Sequence, residues 1–293
     1  MSIETSIPGA APRVLLSRRS HFSCGRQLQN PNWSQARNRE TFGRDTGPHG
    51  HEYTLDCAFG GPISDSDGMI VNIAELKPIL QKITSALDGA WLPSHLDPAL
   101  SFFVARRPTA ENIALWLWQT LPHSVANGAL FRIRLRESRR VLVEIVARND
   151  SQNKSQIMKI SRSYEFAAAH RLAAPDLSDD ENFARFDKCS NLAGHGHNFG
   201  LDVFIEGVPD AQTGWIINPQ LLDKIVDEEV FERFDHKHLN LDCAEFRDLI
   251  PTTENLSQTI FEILRARLET EGFKLAKIGL HETQKNYFEV EAL

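Results

Sequence analysis

The feature that most constrains the fold of this 293-residue chain is an internal repeat. The string GPHGHEY at 47–53 returns as AGHGHNF at 193–199, so His49 and His195 stand 146 positions apart. Nearly the same spacing holds for three further pairs of strings: DGMIVN at 67–72 with TGWIIN at 213–218, PTAEN at 108–112 with PTTEN at 251–255, and LRES at 135–138 with LHET at 280–283. Collinear matches of this kind indicate a duplicated domain.

The repeat sets the domain boundaries that we predict. The stretch 148–157 is polar and lacks apolar periodicity, as a linker between domains does. We therefore predict a flexible tail at 1–12, a first domain at 13–147, a linker at 148–157 and a second domain at 158–293.

Charge and composition exclude several classes of protein. A net charge of −7 argues against a nucleic-acid partner, because such proteins usually carry a basic face. No window approaches the roughly 18 apolar residues of a membrane span, and the start lacks the features of a secretory signal. We expect a cytoplasmic protein without a membrane partner. Its four cysteines form no CxxC pair, which predicts reduced thiols.

The second half predicts the element order β-β-α-α-β-β, and the first half can be interpreted in the same way. Aromatic and β-branched residues indicate strands at 160–170 and 197–207, joined by a long polar loop. Asn218 and Pro219 are typical of a helix start, and a second helix is predicted from Thr252 or Thr253 to about Glu271. Two short strands follow, separated by a turn near 284–286.

Histidines in the second half suggest a metal site. His195 and His197 alternate on a predicted strand and so share a face, and His170 ends the preceding strand. Three neutral imidazoles with an open fourth position are typical of catalytic zinc. A His-x-His string alone, however, is often a surface or turn feature, so both interpretations stay open here.

Three further groups are candidates for chemistry. Cys189 lies six residues before His195, where a nearby cation favours a thiolate, although most cysteines only fill space. Asp235 can orient His236, although adjacent Asp-His pairs also occur by chance. Glu282 lies in an apolar setting, where a carboxylate needs a partner.

Five ordered motifs carry a resemblance to a known family. FAAAHRL, CSNLAGHGHNF, FDHKHLN, PTTENL and HET closely resemble the 6-pyruvoyltetrahydropterin synthase and 6-carboxytetrahydropterin synthase family over residues 158–293. The resemblance implies an α+β fold of two tandem tunnelling-fold (T-fold) units, each a four-stranded antiparallel sheet with two helices on one face. It also implies a homo-oligomer, such as a trimer of two-unit chains or a larger assembly.

The same resemblance implies the roles of the site residues. A zinc ion (Zn²⁺) would be held by His170, His195 and His197, and proton transfer would involve Cys189, Asp235 and His236. Glu282 would hold the pterin, with Thr252 or Thr253 and Glu254 also near its ring.

The implied activity is that of a carbon-oxygen lyase that converts 7,8-dihydroneopterin triphosphate with loss of triphosphate. The Cys-x5-His-Gly-His spacing resembles the 6-pyruvoyl enzymes of tetrahydrobiopterin biosynthesis, whereas the 6-carboxy enzymes of the queuosine and deazapurine route more often have Cys-x3-His-Gly-His. A 6-carboxytetrahydropterin synthase and a non-catalytic pterin-binding module stay as alternatives.

The first half departs from the family pattern. Alignment places Arg26 at the position of His170, and a guanidinium cannot ligate zinc. Counting along the repeat places Gly43 opposite Cys189, and Leu92 with Pro93 opposite the Asp-His pair. Cys24 is expected to be a packed thiol. The matching residues are His49, His51, Thr109, Glu111 and Glu137.

Two hypotheses cover this degenerate half. It acts as a structural partner that pairs its sheet edges with the second half, or it contributes Glu111 or Glu137 in trans to a neighbouring site. Metal binding through His49 and His51, with Arg26 displaced, is a third and less favoured possibility.

Overall fold

The computed structural model describes residues 14–93, 98–150 and 153–292, which form two compact units. One is built mainly from residues before Ser138 and the other mainly from residues after Met158. The tail predicted at 1–12 lies outside the described residues. Among the described helices, none is both long and apolar enough to cross a membrane.

The first unit is a sheet with helices packed against it. Its strands follow the order β6-β5-β2-β1-β3, and β3 is parallel to β1. The strands are β1 (Val14–Arg26), β2 (His49–Gly61), β3 (Ala90–Trp91), β4 (Ser124–Val125), β5 (Gly128–Arg136) and β6 (Val141–Asp150). The helices are α1 (Gln35–Phe42), α2 (Ile73–Leu87), α3 (Phe102–Ala105) and α4 (Ala110–Thr120), with 3₁₀ turns at Gly43–Thr46 and Pro98–Leu100.

The second unit repeats this arrangement. Its strand order is β11-β10-β8-β7, antiparallel throughout, with β9 added parallel to β7. The strands are β7 (Asn153–His170), β8 (His195–Glu206), β9 (Lys237–His238), β10 (Lys274–His281) and β11 (Tyr287–Glu291). The helices are α5 (Asp179–Phe186), α6 (Pro219–Val226), α7 (Glu232–Phe234), α8 (Leu239–Asp242) and α9 (Thr253–Thr270). A π-helical turn, Asp227–Phe231, joins α6 to α7, and 3₁₀ turns occur at Asp187–Ser190 and Ala244–Phe246.

The predicted fold class is confirmed, with two differences in detail. The long polar loop between β7 and β8 contains the short helix α5, which begins with a capping box between Ser178 and Glu181. The polar stretch 148–157 is strand over its described residues, because β6 runs to Asp150 and β7 begins at Asn153. Side-chain polarity does not show whether a backbone finds a pairing partner, so the sequence suggested a linker there. The domain boundaries themselves stay a prediction.

The long helices of the second unit bury one apolar face each. In α6 the Asn218 side chain accepts a hydrogen bond from the Gln220 backbone N–H, and Pro219 occupies the first turn. In α9 the Thr252 hydroxyl caps the Asn255 N–H. The buried apolar residues recur at helical spacing: Leu222, Ile225 and Val226 in α6, and Leu256, Ile260, Leu264 and Leu268 in α9.

The core of the second unit generates a test of this packing. Leu222 is fully buried, so Leu222→Ala should lower the free energy of unfolding by about 2 to 5 kcal/mol through lost burial and a cavity. Leu241 is 79% exposed, and Leu241→Ala should leave stability nearly unchanged. Urea unfolding of both variants measures the difference, and equal losses would contradict the described core.

Candidate active site

Three histidines of the second unit meet where β7 ends and β8 begins. The strand register pairs His170 directly with His195 and places His197 opposite Ala168. Alternation along β8 turns His195 and His197 to the same face. One ring nitrogen from each of the three histidines lies within 4.8 Å of the corresponding nitrogens of the other two.

The hydrogen bonding of these rings fits a bound cation. His170 Nδ1 lies 2.7 Å from the carbonyl oxygen of Pro251, which can only accept, so Nδ1 carries the proton and Nε2 has the free lone pair. That Nε2 lies 3.2 Å from His195 Nε2. Among the described residues, no hydrogen-bond partner reaches the buried His197 Nε2. Lone pairs that converge without donors are suited to a metal ion, and three imidazoles are a donor set that zinc accepts.

The protonation of the rings supports the same conclusion. Burial lowers the pKa of His170, and its neighbours His195 and His197 lower it further. Burial and the adjacent His197 also lower the pKa of His195. Both rings are therefore neutral at pH 7, which is the form that ligates a metal.

Gly194 fixes the turn that delivers His195. Its φ is +68°, a left-handed value that favours glycine. A Cβ at this position would also lie 2.8 Å from the carbonyl oxygen of His170 and 2.8 Å from His238 Nε2. The glycine before the histidine pair thus lets the loop pass close to the end of β7.

Cys189 lies on the 3₁₀ turn Asp187–Ser190, which is anchored to the end of β7. The Leu172 N–H donates to the carbonyl oxygen of Cys189 at 2.8 Å, and Arg171 Nε donates to that of Ser190 at 2.8 Å. The thiol is free and only half-buried. These contacts hold the backbone of Cys189 beside the strand that ends in His170, and its catalytic role stays a prediction.

Asp235 and His236 form the expected pair. Asp235 Oδ1 accepts the backbone N–H of Ala167 at 2.8 Å, and Oδ2 lies 2.8 Å from His236 Nδ1. Burial raises the pKa of Asp235, but the hydrogen bonds from Ala167 and His236 outweigh it and hold the pKa below its usual value. The carboxylate is therefore charged, and it orients an imidazole that is 83% exposed.

One groove is lined by a residue of this pair and a residue of the histidine cluster. A cavity of about 440 Å³ has His236 and His197 in its wall, together with His238 of β9. His238 was missed from the sequence, although it stands in the same FDHKHLN string. Its position becomes evident only when β9 pairs in parallel with Ala168 and Ala169 of β7.

Glu282 is held just past the end of β10. Its Oε1 accepts a hydrogen bond from the Thr253 hydroxyl at 2.5 Å and lies 4.0 Å from His197 Nε2. Its Oε2 accepts from the Asn286 amide at 2.9 Å. Burial raises the pKa of Glu282, but these hydrogen bonds and the nearby histidines outweigh it and lower the pKa. A charged carboxylate is thus fixed beside the histidine cluster.

The start of α9 separates the three remaining candidates. Thr253 is buried and contacts Glu282, whereas the Thr252 hydroxyl is used to cap the helix. Glu254 is exposed on the first turn of α9. Thr253 is therefore the residue of the two threonines that the structure brings to Glu282.

The first unit corrects two parts of the alignment. The Leu28 N–H donates to the carbonyl oxygen of Asp45 at 2.8 Å, as the Leu172 N–H does to that of Cys189, so Asp45, not Gly43, is the counterpart of Cys189. Counting back from His49 failed because the stretch before it is two residues shorter than the one before His195.

The second correction concerns the Asp-His pair. Asp88 Oδ1 accepts the Ser23 N–H at 2.8 Å, and the Gly89 N–H donates to the Ser23 carbonyl at 2.7 Å. Asp235 and His236 make the same two bonds to Ala167. Asp88 and Gly89, not Leu92 and Pro93, are thus the counterparts of Asp235 and His236. The connection from here to PTAEN is four residues longer than its counterpart before PTTEN, so counting back across it gave the wrong position.

The aspartate of the pair is therefore retained in the first unit and only the histidine is lost. Cys24 is buried as expected, and burial raises the pKa of its thiol to about 12. Glu111 is buried, and the Glu137 side chain is 10% exposed and paired with Arg26. Neither carboxylate is freely presented in the way that a role in trans would favour.

Comparison with known proteins identifies the family. A sequence model described as 6-pyruvoyl tetrahydropterin synthase matches residues 15–148 and again residues 159–292. The chain belongs to this family. Both copies match, so the tandem duplication and the T-fold architecture are confirmed, and the family places the chain among lyase-type enzymes.

Individual synthases match over about half of this chain. The 6-pyruvoyl tetrahydrobiopterin synthase of Pongo abelii is 40% identical over 128 residues, which are 44% of this chain and 87% of that protein. The Drosophila melanogaster synthase is 38% identical over 127 residues, 43% of this chain and 75% of that protein. The solved 6-pyruvoyl tetrahydropterin synthase of Caenorhabditis elegans is 34% identical, covers 47% of this chain and 96% of its own, and gives a TM-score of 0.44.

The turn before His195 predicts that any side chain at position 194 lowers the stability of the fold. Gly194→Ala should lower stability by more than the roughly 1 to 2 kcal/mol of a left-handed alanine, because its Cβ also meets His170 and His238. Gly272 is a matched control, since its φ is +80° and nothing lies within 4 Å of its Cβ position. Thermal unfolding compares the two, and an equal loss in both variants would contradict the close approach at Gly194.

The burial of the four thiols predicts the order in which they react with an alkylating reagent. Burial raises the pKa of Cys24 and Cys57 to about 12 and that of Cys243 to about 11, so these thiols stay protonated at pH 8. Iodoacetamide should therefore label Cys189 first in the folded protein, as peptide mass spectrometry would show. All four cysteines should react in denaturant. Labelling of Cys24 or Cys57 at the rate of Cys189 would overturn the burial described.

Proposed function

We propose that the second unit is a zinc-dependent lyase of the 6-pyruvoyltetrahydropterin synthase type, acting on 7,8-dihydroneopterin triphosphate with loss of triphosphate. The observation that carries the proposal is the convergence of His170, His195 and His197, whose ring nitrogens lie within 4.8 Å of one another beside a charged Glu282. Family membership supports the class of reaction, and the chemistry of these residues supports the substrate.

Glu282 is the proposed anchor for the pterin ring. A pterin presents a ring N–H and an exocyclic amine on one edge, and a carboxylate accepts two such donors side by side. The hydrogen bonds from Thr253 and Asn286 fix the plane of the carboxylate before substrate arrives. A preorganised, charged acceptor holds the ring so that its side chain extends toward the three histidines.

Proton movement is assigned to Cys189 and the Asp235–His236 pair. In this proposal Cys189 takes a carbon-bound proton from the substrate side chain, and His236 returns a proton during tautomerisation. Asp235 accepts from His236 Nδ1, which leaves Nε2 of this exposed ring as the atom that exchanges protons. Zinc, when bound, would polarise the side-chain oxygens and make the adjoining C–H bonds more acidic.

The family spacing Cys-x5-His-Gly-His supports the 6-pyruvoyl product over the 6-carboxy product. We also propose a homo-oligomer, a trimer of two-unit chains or a larger assembly, in a cytoplasmic setting with neither nucleic acid nor membrane as partner. The net charge of −7 supports the exclusion of nucleic acid.

Incubation with 7,8-dihydroneopterin triphosphate tests the activity. We expect release of triphosphate and a pterin with the mass of 6-pyruvoyltetrahydropterin, with turnover reduced by at least about 100-fold in Cys189→Ala and in His236→Ala, since each loses a proton-transfer group. The matched control is Cys243→Ala, because that buried thiol donates to the Arg233 carbonyl and does not line the groove.

The products distinguish the alternatives. A pterin with the mass of 6-carboxytetrahydropterin would replace the proposed product by the alternative one. Absence of conversion by protein shown to hold one zinc per chain would contradict the enzymatic proposal and favour a pterin-binding module.

A further inference from the structure

The first unit has the same backbone arrangement as the three-histidine group, but one of the three positions carries a different residue. Arg26 pairs with His49 in the β1–β2 register, as His170 pairs with His195 in the β7–β8 register. The ring centroids of His49 and His51 lie 5.2 Å apart with planes at 87°, and those of His195 and His197 lie 4.8 Å apart at 83°. The frame that presents the histidines is thus retained, and the third position carries a guanidinium.

Arg26 donates hydrogen bonds to the acceptors that surround the position held by His170 in the second unit. Its Nη1 donates to the Pro108 carbonyl at 3.3 Å, as His170 Nδ1 donates to the Pro251 carbonyl. Its Nε donates to His49 Nε2 at 3.2 Å. His49 Nδ1 donates to the Gly47 carbonyl at 2.8 Å, so Nε2 holds the lone pair. The Nε2 lone pair of His49, which would bind a metal ion, therefore accepts a hydrogen bond from Arg26.

The same guanidinium forms an ion pair with Glu137, the carboxylate that corresponds to Glu282. Arg26 Nη1 and Nη2 donate to the two oxygens of Glu137 at 2.6 and 3.0 Å, a bidentate pair, and the Tyr53 hydroxyl donates a further bond to Glu137 at 3.2 Å. In the second unit, Phe199 occupies the position of Tyr53 and cannot donate. Glu137 is thus bound within its own unit, whereas Glu282 is held by neutral donors and keeps its charge available.

The charge of Arg26 is stable in this setting. Burial opposes the charged form, but Glu137 outweighs it and raises the pKa of Arg26 above its ordinary value. Arg26 is 4% exposed, so it is not a surface residue that leaves the cluster at little cost. A permanent positive charge lies among His49, Tyr53 and Glu137, and a divalent cation at the same place would meet strong repulsion.

We propose that the guanidinium of Arg26, a cation attached to the chain, takes the place of a metal ion in the first unit. The chain then binds one metal ion. The first unit keeps a latent metal site that a single substitution, Arg26→His, would make functional. Of the two histidines that remain, His51 already resembles a free ligand. Its buried Nε2 has no hydrogen-bond partner among the described residues, as is also found for His197 Nε2. The donor set of Arg26, His49 and His51 does not fit a metal ion, and an imidazole at position 26 would complete it.

Metal stoichiometry after zinc loading and dialysis tests the inference without reference to activity. Elemental analysis should find one zinc per wild-type chain, two in Arg26→His, and one in Arg26→His combined with His170→Ala. The last variant places the new ion in the first unit whether or not the proposed function of the second unit holds. Arg19→His is the matched control, since Arg19 is an exposed residue of the same strand and should add no tightly bound zinc.

Two results would overturn the inference. One is two zinc ions in the wild-type chain, with one persisting in His170→Ala. The other is no zinc in the folded Arg26→His, His170→Ala double variant.

A reciprocal variant covers the case in which Arg26→His fails to fold. His170→Arg meets the Pro251 carbonyl, His195 and Glu282 in the second unit, so it should bind no zinc and unfold at a higher temperature than His170→Ala in the presence of a chelator. An unfolding temperature no higher than that of His170→Ala would contradict the replacement of a metal by a guanidinium.

Discussion

The antiparallel register of β7 with β8 is the constraint on which the rest of the second unit depends. It runs without a shift from Lys159 opposite Glu206 to His170 opposite His195. A slip of one residue would reverse the face of every side chain, separating the histidines and exposing Phe199 and Leu201. The same ladder presents the Ala167 backbone to Asp235, so the Asp235–His236 pair is also positioned by strand pairing.

Much of this arrangement could be predicted from the sequence, because the signals were local or repeated. The repeat gave the two units, Asn218 and Thr252 marked helix starts, and the His-Gly-His string predicted two side chains on one face. His238 and Asp88 could not be placed, since both depend on a parallel bridge to a distant strand. The spacing of residues along the chain does not show such pairings. The connection before PTAEN is four residues longer than the one before PTTEN, so the alignment placed the wrong residues opposite Asp235 and His236.

The two units show how a duplicated fold tolerates the loss of a site. The aromatic stack below the cluster is retained, with ring centroids 5.1 Å apart for Phe22 and Tyr53 and 5.3 Å for Phe166 and Phe199. In the first unit, the buried lone pair of His51 and the Glu137 carboxylate still require a positive partner. Arg26 meets that electrostatic requirement within the chain, and this explains how the core persists without the three-histidine set.

The backbone conformation at His236 has a different energetic cost from that of its counterpart in the first unit. Its φ is +55°, and the equivalent Gly89 has a φ of +72°. For a residue with a Cβ, this conformation costs about 1 to 2 kcal/mol, whereas glycine adopts it freely. In the unit that lost the imidazole, the position is occupied by the residue that relieves the strain. In the second unit a residue with a Cβ holds the same conformation, so the imidazole that Asp235 orients is presented at the expense of main-chain energy.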